Sequence, residues 1–212
     1  MAQNDMQTKH KLIKSAKKLF AKYNYDYVST RKIANDAGVG QSAIFFHFGS
    51  KEKLAEEVIN DILTYHIKYY ADLVTETEEL LQQKEPSEEA ISALLRKYID
   101  VQIDIAFNTA NDAALPFSFT TKSMPNELTQ PIAQSNMDNV ELPMAKLLCA
   151  KCHSVNISKA IIITHSINAS IVAYRYTGSS QLLTLAGIGN ADNTQRIQLA
   201  DFLTTSLLNA TL

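Results

Sequence analysis

Apolar residues recur along this chain at helical spacing and nowhere alternate in twos for long enough to make a strand, so the pattern predicts an all-α fold. Leu12, Ala16, Leu19 and Tyr23, joined by Ile13 and Phe20, form one stripe, and five lysines from Lys11 to Lys22 occupy the other faces. Residues 1–7 read as a loose arm ahead of it. Leu54, Val58, Ile62, Tyr65, Tyr69 and Leu73 predict one long helix from Lys51 to about Leu81. Pro86-Ser87 reads as a break and a new N-cap, after which Ile91, Leu94, Leu95, Tyr98, Ile99 and Gln102 carry a helix through Phe107. Pro116, Pro125 and Pro131 forbid one regular helix over 109–135, so short, bent helices are expected there. A further helix covers about Gln134 to Lys151, kinked or restarted near Pro143. Asn156 is placed to cap an apolar helix to about Tyr176, ended by Gly178. Asp192 with Gln195 spells a capping box for a last helix through Phe202, Leu203, Leu207 and Leu208.

Between the first stripe and the long helix lies the stretch that organises the rest. Ser29 can accept a hydrogen bond from a free backbone N–H at a helix start, with Val28 and Ile33 at the positions of a hydrophobic staple. Ile33, Ala34 and Ala37 make a short stripe, and Gly38 suits a left-handed helix end. A second short helix follows from about Gln41 to Phe48. Two short helices on a Gly-bearing turn describe a helix-turn-helix, about residues 29–48, whose second member lies in the DNA major groove. The first residues of that helix face base edges, so Gln41, Ser42, Ala43 and Phe46 are the base-reading candidates. Gln41 can pair with adenine, and Ala43 or Phe46 can touch a thymine methyl. The bland alternative is an ordinary surface helix start. Ile44 and Phe48 are assigned to packing.

Charge sharpens this picture. Through Lys53, ten Lys and Arg face four Asp and Glu, a net of +6, which leaves −8 on the remainder for a total of −2. A basic head attracts a polyphosphate backbone, and an acidic body does not. The hydrophobic share of 46 % is ordinary for a soluble globule. No apolar run approaches the roughly 18 residues that span a bilayer. The polar N-terminus lacks a signal-peptide core, and two cysteines suit a reducing compartment, so a cytoplasmic location without membrane partners is expected.

Residues 9–54 resemble the DNA-binding domain of the TetR family of bacterial transcription regulators. The resemblance rests on Ser29, Ile33-Ala34, Ala37-Gly38-Val39, Phe45-Phe46-His47-Phe48 and Ser50-Lys51. It implies a DNA-binding domain at 1–54 and a helical effector-binding and dimerisation domain at 55–212. It also implies that His47 and Lys51 contact phosphate, with Thr30 and Arg31 as further phosphate or base-edge candidates. A solvated face is the ordinary alternative for any single lysine. Two departures weaken backbone anchoring. Phe45 stands where the family has a Tyr hydroxyl, and Gly40 replaces a Ser or Thr cap at a cost of about a few tenths of a kcal/mol.

The same resemblance implies a homodimer joined through its last two helices, reading a near-palindromic duplex with heads roughly 34–36 Å apart or at a related wider spacing. Small residues on one stripe, Ile162, Ser166, Ala169 and Ala173, suit close helix approach, and Leu203 and Leu207 are placed with them. Internal packing fits that stripe nearly as well. The implied pocket takes a small, largely apolar effector. Its candidates are Tyr98, Phe107, Phe117, Phe119, Met124, Met137, Met144, His165 and Asn168, although aromatic and Met residues at helical spacing are often simply core. His165 and Asn168, one turn apart, are the polar contacts. They are equally able to bond each other or a partner subunit.

Cys149-Ala150-Lys151-Cys152-His153 spells the C-x-x-C-H of c-type haem attachment. Covalent haem attachment needs export, so no cofactor and no metal is expected, and a redox- or metal-sensing pair is the residual alternative. No G-x-S-x-G, G-x-x-x-x-G-K or H-E-x-x-H occurs, which argues against an enzyme. The expectation is a sequence-specific transcription regulator, a repressor released by its effector. Its rivals are an effector-independent architectural DNA-binding factor and a cofactor or redox sensor built on Cys149–His153.

Overall fold

The computed structural model describes residues 2–107, 124–177 and 193–209. Among them are nine α-helices and no strand: α1 Ala2–Lys22, α2 Thr30–Ala37, α3 Ser42–Phe48, α4 Lys51–Gln82, α5 Glu88–Phe107, α6 Asn126–Asn136, α7 Leu142–Lys151, α8 Ile157–Thr177 and α9 Asn193–Asn209. The helix starts obey their local chemistry. Side-chain oxygens of Ser29, Ser50, Ser87 and Asn156 each accept the backbone N–H three residues on. Each satisfies one of the donors a helix start leaves unpaired.

Two compact units divide the chain, Met1–His66 with Leu115–Gln134, and Ile67–Ala114 with Ser135–Leu212. This moves the boundary expected at residue 54. Leu54, Ala55, Val58, Ile59 and Ile62 of α4 belong to the same buried cluster as Leu12, Phe20, Ile33 and Ile44. The head needs that stretch of α4 because α1, α2 and α3 alone are too small to enclose a core. Met124 and Ile132 join that cluster, so Met124 lies in the head rather than among the effector candidates. Val28 and Ile33, the staple, are both fully buried, each contributing about 1.5–3 kcal/mol relative to exposure.

In the second unit, the Tyr70 and Tyr98 rings stack at 6.2 Å, and Tyr98 shares a 3.1 Å hydrogen bond with Thr77. Two local expectations change, and the restart expected near Pro143 is found. Residues 2–7 continue α1 rather than forming an arm. Pro131 sits inside α6. A π-helical turn, Met137–Glu141, joins α6 to α7, with Pro143 in the first turn of α7. Proline supplies no N–H, which costs little in a helix's first turn and leaves a carbonyl without its bond inside α6. Gly178 and Asp192 lie outside the described residues. One described helix, over Ile157–Tyr174, is long and apolar enough by composition to cross a membrane, at mean hydropathy 1.2, with 28 % of that window buried. It carries polar Thr164 and Asn168 on its buried side, as a core-facing helix does.

Candidate nucleic-acid interface

Ser29 ends an extended segment and caps α2, and Gly38 closes that helix at φ +67°, with Val39 N–H returning to Ala34 O at 3.0 Å. This left-handed end re-aims the chain so that α3 starts at Ser42, after a three-residue connection of Val39, Gly40 and Gln41. Ile44 and Phe48 turn into the head's core, at 0 and 9 % exposed, whereas Phe46 on the opposite face is 78 % exposed. Gln41 and Ser42 are exposed and Ala43 half-buried. The start of α3 therefore offers an amide, a hydroxyl, a methyl and an aromatic ring to solvent on a rigid support. Those groups suffice to read base edges in a major groove.

Gln41 Nε2 donates to Thr30 Oγ1 at 2.8 Å, tying the start of α3 to the start of α2. Arg31 is exposed beside it in sequence. His47 is half-buried, its ring 5.0 Å from that of Phe46, and its Nε2 lies 3.6 Å from Asp5 Oδ1. Lys51 Nζ donates to Tyr25 O at 2.7 Å and sits 3.8 Å above the Tyr25 ring. Burial lowers the Lys51 pKa, against the opposing pull of Asp26 and Glu52. One of its three N–H donors is thus committed to clamping the Tyr25–Tyr27 turn, and two remain for a phosphate. Burial in turn pushes the Tyr25 phenol up to about 12.

Several of the head's cations are already matched. Lys9 pairs with Glu57, Lys17 with Asp61, Lys18 with Asp36 and Lys53 with Glu56. Counting Glu56, Glu57 and Asp61, the net charge is +3 through His66 rather than the +6 reached at Lys53. Lys11, Lys14 and Arg31 stay exposed. The field that attracts a duplex is weaker than the bare lysine count suggests. Two exposed aromatics had no recognition role in the sequence reading, Tyr27 at 78 % and Phe45 at 52 %. Their signal is an apolar residue where the helical pattern calls for a polar one.

The body candidates scatter. Tyr98, at 0 % exposed, and Phe107, at 9 %, pack as core, and Met144 accepts a 3.4 Å contact from Gln102 Nε2. Met137 is half-buried in the π-helical turn. Phe117 and Phe119 lie outside the described residues. Exposed His165 and buried Asn168 do not bond each other. Both converge on Glu141, 3 % exposed, whose Oε1 lies 3.0 Å from His165 Nδ1 and accepts from Asn168 Nδ2 at 2.9 Å and Asn136 Nδ2 at 2.8 Å. Sequence reading missed Glu141, because nothing local marks it as buried. A cavity of about 350 Å³ lies elsewhere in this unit, between the far half of α4 and the 138–146 segment. It is lined by Val74, Thr77, Glu78, Leu81, Leu142 and Pro143 among others. None of the effector candidates lines it.

Ile162 is 67 % exposed, and Ser166, Ala169 and Ala173 share its outward face. Leu203 and Leu207, placed with them from sequence, are 2 and 0 % exposed within this one chain. They fill the unit's own core, and the outward large side chains of α9 are Ile197 and Phe202.

Residues 12–58 match the family described as bacterial regulatory proteins, tetR family. The HTH-type transcriptional dual regulator CecR of Shigella flexneri is 27 % identical over 184 residues, 84 % of this chain and 79 % of that protein. The HTH-type transcriptional repressor KstR2 of Mycobacterium tuberculosis is 29 % identical over 72 residues, 34 % of this chain and 36 % of its own. Among solved structures, a TetR-like transcriptional regulator from Rhodococcus sp. RHA1 superposes with TM-score 0.65 at 16 % identity, covering 94 % of this chain and 93 % of that one. FadR from Bacillus subtilis, in complex with stearoyl-CoA, gives 0.61 at 14 %, covering 95 and 98 %. With a helix-turn-helix head that matches the tetR family of bacterial regulatory proteins over residues 12–58 and an all-helical body, the chain is a TetR-like DNA-binding regulator of transcription.

Proposed function

We propose that this chain acts as a cytoplasmic homodimeric repressor, with no catalytic role, whose hold on a near-palindromic operator is loosened by a small effector. The observation that carries the DNA reading is the two-faced α3, which buries Ile44 and Phe48 while leaving Gln41, Ser42 and Phe46 outward. Gln41, Ser42, Ala43 and Phe46 read bases, while Arg31, His47 and Lys51 hold phosphates, His47 after parting from Asp5.

The effector reading is supported by the cavity of about 350 Å³, a size that suits a small molecule. Its walls include about two and a half turns of α4, the helix that begins at Lys51 beside the DNA reader. An occupant that prefers one setting of α4 shifts the two heads away from adjacent half-sites. KstR2 is a repressor and FadR was solved with stearoyl-CoA, which agrees with repression relieved by an organic ligand. The cavity favours this reading over an effector-independent architectural factor.

The dimer reading is supported by the outward apolar side of α8 and α9. Ile162, Ala169 and Ala173 with Ile197 and Phe202 form the seam, in place of Leu203 and Leu207. Fluorescence anisotropy on a duplex enriched from a random library by the full-length chain tests the DNA reading. Lys51→Ala should weaken enriched and random duplexes alike and lower the salt slope by about one, whereas Gln41→Ala should hurt the enriched duplex more. Wild-type affinities for both variants would mean that α3 is not the reader.

A further inference from the structure

We propose that Thr30 is a positioning residue for base recognition, acting through Gln41 rather than as an independent contact. This rests on the reading that Gln41 meets a base. The observation is the 2.8 Å hydrogen bond from Gln41 Nε2 to Thr30 Oγ1, which bridges eleven residues and two helices at an exposed surface. A glutamine at the start of a reading helix has a long side chain whose terminal amide turns in a broad, roughly two-fold well. In one setting it offers donor and acceptor to adenine in the correct order. In the flipped setting it offers them reversed. Something must choose.

The hydroxyl at position 30 supplies that choice once its own proton is given to a phosphate oxygen, because it can then only accept from Nε2 and not donate to Oε1. Thr30 accepts one of the two Nε2 protons, which places the nitrogen on the α2 side and Oε1 away from it. Gln41 keeps its second N–H and both lone pairs of Oε1, the two functions that pair with adenine N7 and N6. Nothing needed for base pairing is consumed. Both anchor points are stiff, because Thr30 opens a helix capped by Ser29 and Gln41 precedes a helix pinned by buried Ile44. The threonine is also β-branched, so its own χ1 is restricted. Its hydroxyl proton is still available to donate to a phosphate oxygen, and donation there strengthens the acceptor that Gln41 uses. Backbone contact and base reading are then joined in one chain of hydrogen bonds, and an amide set before binding loses less freedom on docking.

The test is a single-base-pair substitution scan of the duplex enriched by the full-length chain, read as the affinity ratio between parent and substituted duplexes. Gln41→Ala should flatten one base pair by on the order of 10- to 100-fold. Thr30→Val, which keeps the shape and removes the acceptor, should shrink discrimination at that same base pair by about three- to tenfold, the worth of one hydrogen bond. Thr30→Ser should restore it to within about twofold, which separates loss of the hydroxyl from any damage to α2. Thr30→Val placed on Gln41→Ala should add no further loss of discrimination. A Thr30→Val protein that binds every duplex more weakly while its ratios stay at wild-type values overturns the proposal and makes Thr30 a phosphate contact alone. Were Gln41→Ala to leave the scan unchanged, the base reader itself would be misplaced and the proposal would go with it. An effective Gln41→Ala beside an ineffective Thr30→Val removes only the positioning role.

Discussion

His66 lies on α4, 3 % exposed, and burial lowers its pKa to about 4 from an ordinary 6.5. In the unfolded chain this imidazole takes up its proton as pH falls through about 6.5, whereas in the folded chain it resists until about 4. Between those values the unfolded state binds more protons, so stability must fall as pH falls through that window. Above it the ring is neutral in both states and contributes no slope. Below it the ring is charged in both states and the loss is complete. The full interval amounts to about 3 kcal/mol, of which about 2 kcal/mol is gone by about pH 5. The assay is urea unfolding of wild type and His66→Leu at about pH 8 and about pH 5, which takes two midpoints and two slopes per protein. The leucine changes packing equally at both pH values, and carboxylates titrate in both proteins, so the difference of differences isolates the imidazole. Wild type should lose about 2 kcal/mol more than the variant on acidification. Parallel losses would refute the argument, because they would mean His66 is protonated as readily in the fold as out of it.

Gly38→Ala should destabilise the head by about 1–2 kcal/mol, read as a lower thermal midpoint. The position is held at φ +67° with nothing within 4 Å of an added Cβ, so the cost is backbone conformation and not a clash. Glu141→Ala should cost about 1–3 kcal/mol in urea unfolding, because it strips the acceptor from buried Asn168. Glu141→Gln should cost less, since it keeps an acceptor and the shape, and equal stability of all three proteins would show that the cluster is idle. Iodoacetamide followed by mass spectrometry should label Cys152 ahead of Cys149. Hydrogen bonding from Ser154 lowers the Cys152 pKa, while burial raises that of Cys149. The opposite order would contradict the assigned environments.

Features closed within a turn or two of chain were legible from sequence alone. Ser29 could be named as a cap and Gly38 as a left-handed end, because each needs only its own backbone and a neighbour three or four residues away. The long α4 was readable from its stripe, and so were the outward Gln41 and the inward Ile44, since helical period fixes which side chains share a face. Tertiary structure decided whatever depends on who arrives from elsewhere. Lys51 finds the carbonyl and ring of Tyr25, Gln41 finds Thr30, and Glu141 collects Asn136, His165 and Asn168. The stripe through Leu203 and Leu207 showed that α9 buries a face but not whose core it fills. Hydrophobic periodicity records that a side chain leaves water, and only the packed fold says what it meets there.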